Sequence, residues 1–256
     1  MTPTNTHWRT TLLKQHWVTF LLPFLVFMVV GAFEPTPQTP GGKLIGLAIP
    51  YAAYPWVYAA QITLTVAAVV LVLPGYRQFP RRLSLLAFAV GVVGGLLWIG
   101  LCLLDWEHAY LAPSLGRCGL GSLIGAGDRS AFNPFEQYAD RPTWAWTFLA
   151  VRFFGLVAVV PLIEELFLRG FLMRVVMEHD WWNVPFGTAN RLAIILGTAV
   201  PMLMHPGELL AAAVWFSLIT WLMLRTRNLW DCVAAHAVTN LILGIYVVVS
   251  GTWRLM

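Results

Sequence analysis

Residues 144–177, WAWTFLAVRFFGLVAVVPLIEELFLRGFLMRVVM, decide how the rest of the chain is read. The run is apolar for most of its length and exceeds the ~20 residues a helix needs to cross a hydrocarbon core of roughly 30 Å. Outward from it, comparable apolar runs cover 15–33, 51–74, 83–104, 191–206, 208–225 and 229–250. The expected fold is all-α: a polytopic integral membrane helical bundle of about seven transmembrane helices, six to eight at the bounds. The first run ends in GAFEPTPQTPGG without a small-residue cleavage site, so it reads as a retained span and not as a signal peptide.

Composition agrees. Of 256 residues, 59% are hydrophobic and 11% charged, against about 45–50% and 25% in soluble domains. Such a surface excludes a soluble single-core enzyme, a nucleic-acid binder and a disordered chain. The net charge of +4 is topology-setting charge at the membrane faces. Cys102, Cys118 and Cys232 lie far apart and offer neither ligand spacing nor a disulfide framework.

The Lys and Arg positions orient the bundle. With the N-terminus cytoplasmic, Arg9, Lys14, Arg77, Arg81, Arg82, Arg174, Arg191, Arg225 and Arg227 fall inside. Lys43, Arg117, Arg129, Arg141 and Arg254 fall outside. That excess fits the positive-inside rule, and tryptophans near span ends (Trp17, Trp56, Trp106, Trp144, Trp181 and Trp230 among them) fit an interfacial belt. The one sizeable connection, 105–143, should lie outside and carry a short surface helix. A single transmembrane domain over 1–256 is expected, with N-terminal spans and the external loop in 1–143 and core helices in 144–250.

Ionisable residues at membrane depth mark functional sites by default. In PLIEELFLRGFLMR (161–174), Glu164 and Glu165 project about 100° apart on a helix, and Arg169 sits four residues after Glu165. The i,i+4 relation pairs Arg169 with Glu165 and leaves Glu164 to another surface. His205 ends the fifth run. At 1.5 Å per residue, Glu164 and His205 both lie about 20 Å above the inner face. In the last run His236 and Asn240 are i,i+4 and share a face. The plainer alternative is a set of packing contacts, interhelical hydrogen bonds worth about 0.6 kcal/mol each. The Gly-rich face of 89–100, AVGVVGGLLWIG, reads as a close helix–helix contact. Arg152, in the outer half of its span, is expected to snorkel or to pair with an acid of the external loop.

One carboxylate, two imidazoles and an amide in a dry site suit hydrolysis, the carboxylate activating water as general base and the His–Asn pair stabilising an oxyanion. Nucleophilic serine chemistry finds no Gly-x-Ser-x-Gly, and Cys232 has only His236 nearby in sequence. Glu and two His could ligate zinc, but the H-E-x-x-H pattern is absent.

Glu-Glu-x-x-x-Arg at 164–169, a His in the next span and His-x-x-x-Asn at 236–240 resemble the CPBP family. These are the intramembrane proteases of the CAAX-protease and bacteriocin-processing (abortive-infection) type. NPF (133–135), AVRFFG (150–155), VVPLIEELFLRGFLMR (159–174) and NLWDCVAAHAVTN (228–240) are similar to the branch that accompanies bacterial exosortase (PEP-CTERM) systems. The resemblance implies an endopeptidase in which Glu164 activates water with help from His205. It gives His236 and Asn240 the oxyanion site, and Glu165 and Arg169 a supporting role. Pro201 departs from the family pattern, which usually has Phe four residues before the histidine, and a local bend is expected there. The resemblance further implies no cofactor, a divalent metal staying an open alternative, and a membrane protein or peptide as substrate. Exosortase-system proteins are the expected partners, nucleic acid is not, and the bacterial inner membrane is the expected location. A non-catalytic membrane scaffold or chaperone of a sorting system is the competing reading. A transporter would favour paired halves, which the sequence does not show.

Overall fold

The computed structural model describes residues 15–37, 49–117 and 131–256. Among the described residues all regular structure is helical. Seven main helices follow in chain order: α1 (His16–Gly31), α2 (Tyr54–Val72), α3 (Leu85–Leu103), α4 (Pro142–Val175), α5 (Arg191–Met204), α6 (Leu209–Thr226) and α7 (Leu229–Ser250). Five helical stretches are long and apolar enough to cross a membrane: Tyr51–Gln78, Leu85–Leu103, Pro142–Val175, Pro206–Thr226 and Leu229–Ser250. α1 and α5 are apolar but shorter, at 16 and 14 residues. The expected seven spans are thus five of crossing length and two short helices. α5 is short because Asn190 caps its start and His205-Pro206 ends it.

Short polar side chains set several helix starts by accepting the main-chain N–H groups that a first turn leaves unpaired. Ser84 Oγ accepts from Ala87, Asn190 Oδ1 from Ala193 at 2.8 Å, and Asn228 Oδ1 from Trp230. α6 uses a distant group instead: Glu107, buried in a π-helical turn over Glu107–Leu111, accepts from Leu210 N at 2.7 Å. Glycine-permitted closeness joins α3 to α7 and to α6. A Cβ on Gly91 would stand 2.7 Å from the main-chain oxygen of Ala235, and one on Gly94 would stand 2.1 Å from the Trp215 ring. Thr239 Oγ1 uses that proximity to donate to Gly91 O at 2.9 Å. The Gly-rich face is therefore a packing seam, as its sequence suggests.

The connections gather at two ends. At one end Tyr76 donates to Thr19 O, Asn228 Nδ2 to Arg82 O, and Ser84 (N and Oγ) to the carboxylate of Asp231. Phe20, Phe79, Trp181 and Phe186 interlock in the same layer. At the other end Phe132 packs among Tyr51, Tyr54 and Phe148, and Phe135 packs on Trp253. The connections at 77–82 and 225–228 thus share one end, and the described parts of 105–143 lie at the other. The latter include the short helices Ala112–Arg117 and Pro134–Gln137. Arg9, Lys14, Lys43, Arg129, Cys118 and the stretch 118–130 lie outside the described residues.

Candidate active site

Helix α4 is not a uniform α-helix. It runs α over Pro142–Phe154, π over Gly155–Val159, α over Val160–Glu165, π over Leu166–Leu172 and α over Met173–Val175. The two glutamates therefore sit at the end of a short α segment held between two π segments, a departure from α geometry that recurs at functional sites.

Glu165 and Arg169 are completely buried and paired, with Oε2 of Glu165 3.3 Å from Arg169 Nε. Arg169 also reaches Phe216 O at 3.4 Å, and its guanidinium lies 5.4 Å over the Phe216 ring. Oε1 of Glu165 takes a second partner from 71 residues away, His236 Nδ1 at 3.0 Å. A paired carboxylate accepts, so Nδ1 carries the hydrogen and the lone pair of the neutral imidazole sits on Nε2. Glu164 is 6% exposed and turned away from this pair. Its Oε2 is buried and has no hydrogen-bond partner, while His236, Glu165 and Arg169 are within electrostatic reach. One carboxylate is thus tied and its neighbour is not, the division that helical geometry predicts.

Asn240 lies one turn beyond His236, both facing α4. Its Nδ2 donates to Leu156 O at 2.8 Å. That carbonyl belongs to the first π segment, in which bonds run from residue i to i−5. The residue five positions on is Pro161, which has no N–H to give. Asn240 supplies the missing donor, so it fastens α7 to α4 with one N–H and has a second to offer.

His205 terminates α5. Its main-chain N bonds Met202 O at 3.0 Å, and its Nδ1 bonds Pro201 O at 2.8 Å. A carbonyl only accepts, so Nδ1 carries the hydrogen and the neutral ring keeps its lone pair on Nε2. The ring packs edge-on against Trp98 and tilted against Phe216, with centroids 5.5 Å apart in both cases. Phe216 also borders His236 at 6.3 Å. One aromatic ring therefore backs His205, His236 and Arg169 together. Nothing in WFSLIT (215–220) marks Phe216 for this role. Trp98 comes from the N-terminal part, so the walls of the site are not confined to 144–250.

A cavity of about 600 Å³ opens toward the other end of the bundle. Val160, one turn before Glu164, and Met204, next to His205, both line it, as do Glu34, Tyr54, Gln61 and Arg152. That shared lining brings the turn before Glu164 and the end of α5 to one cavity. Arg152 does not snorkel: it is buried, donates to the main-chain oxygens of Phe132 and Met256, and lies 5.8 Å over the Tyr54 ring. Among the described residues the acid within its electrostatic reach is Glu34, just past α1. Burial pushes the Glu34 carboxyl up to about 7 against the pull of Arg152.

Residues 144–242, which contain all six of these site residues, match the family model described as Type II CAAX prenyl endopeptidase Rce1-like. The site lies in an Rce1-like segment. No curated protein and no solved structure matches the chain. The crossing-length apolar helices together with the Rce1-like match make the chain a multi-pass membrane protein. Within the Rce1-like segment the match spans the tied and untied glutamates of α4, the histidine ending α5, and the His–Asn face of α7.

Proposed function

We propose that the protein is an intramembrane endopeptidase that hydrolyses a peptide bond of a membrane-embedded protein or peptide with water activated by Glu164. The observation that carries this reading is the buried Glu164 oxygen without a hydrogen-bond partner, beside a carboxylate whose Oε1 accepts from Arg169 and His236 and whose Oε2 is ion-paired with Arg169. An unpaired acceptor in a dry site holds a water and takes its proton as the water attacks the carbonyl. His236, steadied by Glu165 through Nδ1, offers Nε2 as an acceptor to the attacking water and so does not share the oxyanion with Asn240, whose second N–H stabilises it. His205 orients the water through Nε2, and after attack the proton passes from Glu164 to the leaving amine. The Rce1-like match supports peptide hydrolysis over the scaffold reading, because its family is one of endopeptidases.

The finer reading is a protease of an exosortase-type sorting system in the bacterial inner membrane, N-terminus cytoplasmic, acting without a bound transition metal. The tying of Glu165 to Arg169 and His236 supports the metal-free chemistry, since it removes one carboxylate and one imidazole nitrogen from the pool of ligands. Purified protein, incubated with membrane proteins of the same sorting system, should yield two fragments per substrate by mass spectrometry. Elemental analysis of the active sample should find less than one equivalent of zinc. Activity lost on chelation and restored by zinc would replace this mechanism with a metalloprotease one. Intact substrates throughout would favour the scaffold.

A further inference from the structure

At the end of the bundle where α2 runs into α3, a groove of about 350 Å³ is walled by Leu73, Leu83 and Trp230 and rimmed by Arg77, Arg81 and Arg82. It shares no lining residue with the cavity above Glu164, and the proposed hydrolysis makes no use of it. Arg77, Arg81 and Arg82 are all exposed. Among the described residues none of the three guanidinium groups has a carboxylate partner. The nearest acid in sequence to Trp230 is Asp231, and its two oxygens are taken by Ser84. The wall contributes a second unmet donor: the Trp230 indole Nε1 is buried and has no hydrogen-bond acceptor. Three unpaired cations and an unsatisfied N–H around one groove call for an anion with several acceptor oxygens. The groove also offers Leu73, 51% exposed, and Leu83, 60% exposed, so the ligand must carry an apolar part as well.

We infer that this groove binds an anionic phospholipid, its phosphate against Arg77, Arg81 and Arg82 and an acyl chain along Leu73 and Leu83. A helix end at the membrane interface is where such a headgroup lies, and basic pockets between transmembrane helices suit it. The assignment holds whichever leaflet this end faces, and it does not depend on the hydrolytic mechanism. Among the described residues the three arginine side chains make no hydrogen bond or ion pair. Arg82 holds Asn228 through its main-chain oxygen, which Arg82→Gln preserves.

The test titrates phosphatidylglycerol into the detergent-purified full chain, reading melting temperature from tryptophan fluorescence and retained lipid by native mass spectrometry. Phosphatidylcholine and inorganic phosphate are the parallel arms. Phosphatidylglycerol should raise the melting temperature and remain bound at one molecule per chain, with the other two arms weaker by tenfold or more. Each Arg→Gln change should weaken the phosphatidylglycerol titration by about fivefold, and Trp230→Phe should weaken it without abolishing it. Equal response to phosphatidylcholine would overturn the headgroup assignment. An equal response to inorganic phosphate would reduce the groove to a free-anion site and overturn the lipid. A triple variant, Arg77→Gln with Arg81→Gln and Arg82→Gln, that binds as the parent does would remove the site altogether.

Discussion

Two neighbouring carboxylates show how far a single position can differ from the next. Glu165 is committed to Arg169 and His236, so Glu165→Gln strands a buried guanidinium. Breaking a buried pair in this way costs about 3–5 kcal/mol, which should appear as a large drop in melting temperature and in yield. The i,i+4 spacing makes the Glu165–Arg169 half of that arrangement legible in the sequence. The His236 half is not, because a contact across 71 residues depends on how α7 is set against α4. Asn240 was legible as a polar residue facing a site, but its bond to Leu156 was not. Asn240→Ala should therefore lose stability as well as rate, by about 1–3 kcal/mol for the carbonyl left unpaired, and a thermal melt checks this. Glu34 gives a pH signature. Its carboxyl, raised by burial from 4.5 to about 7, favours the folded state while protonated; that contribution is intact below the lower value and lost as pH climbs through the upper one. Glu34→Gln stays neutral throughout. Its melting temperature should exceed that of the parent at about pH 8, the gap closing toward about pH 5. A gap independent of pH would refute the burial account.

Elements repeat the pattern. Apolar runs located all seven main helices, because lipid demands continuous hydrophobicity and that demand is local in sequence. Helix starts at Ser84, Asn190 and Asn228 follow from short polar side chains that accept first-turn N–H groups. The π segments of α4 were hidden, although Pro161 is the clue: a proline inside a long span leaves a carbonyl one turn back in need of a donor. Arg152 stays buried and does not snorkel, for a related reason. Its partners are main-chain oxygens of Phe132 and Met256, and no side-chain pattern announces those. The seam between α3 and α7 makes a quantitative test. Gly91→Ala would press a methyl against the main-chain oxygen of Ala235, and that backbone cannot rotate away. Overpacking of this kind costs about 1–3 kcal/mol. Gly100, on the same helix with nothing within 4 Å of its built Cβ, should accept alanine with no loss. Melting temperatures of the two variants should differ in that direction, and equal values would mean the seam is slack.

For the molecule as a whole, the bundle has two ends, and the Glu164–Glu165 site is buried between them. The charge excess at the end carrying 77–82 and 225–228 supports a cytoplasmic placement for it. Reporter fusions after Arg82 and after Arg227 should report cytoplasm, and fusions within 105–143 should report the opposite side. The reverse pattern would invert the molecule, though it would leave the site intact. At the site, the proposed base is Glu164 and its proposed support Glu165. The measurement is the cleavage rate of Glu164→Gln, taken beside its melting temperature in detergent. Glutamine keeps the shape and removes the proton acceptor, so the account predicts a rate lower by about 10²–10⁴ with melting nearly unchanged. Full activity in Glu164→Gln would contradict the account.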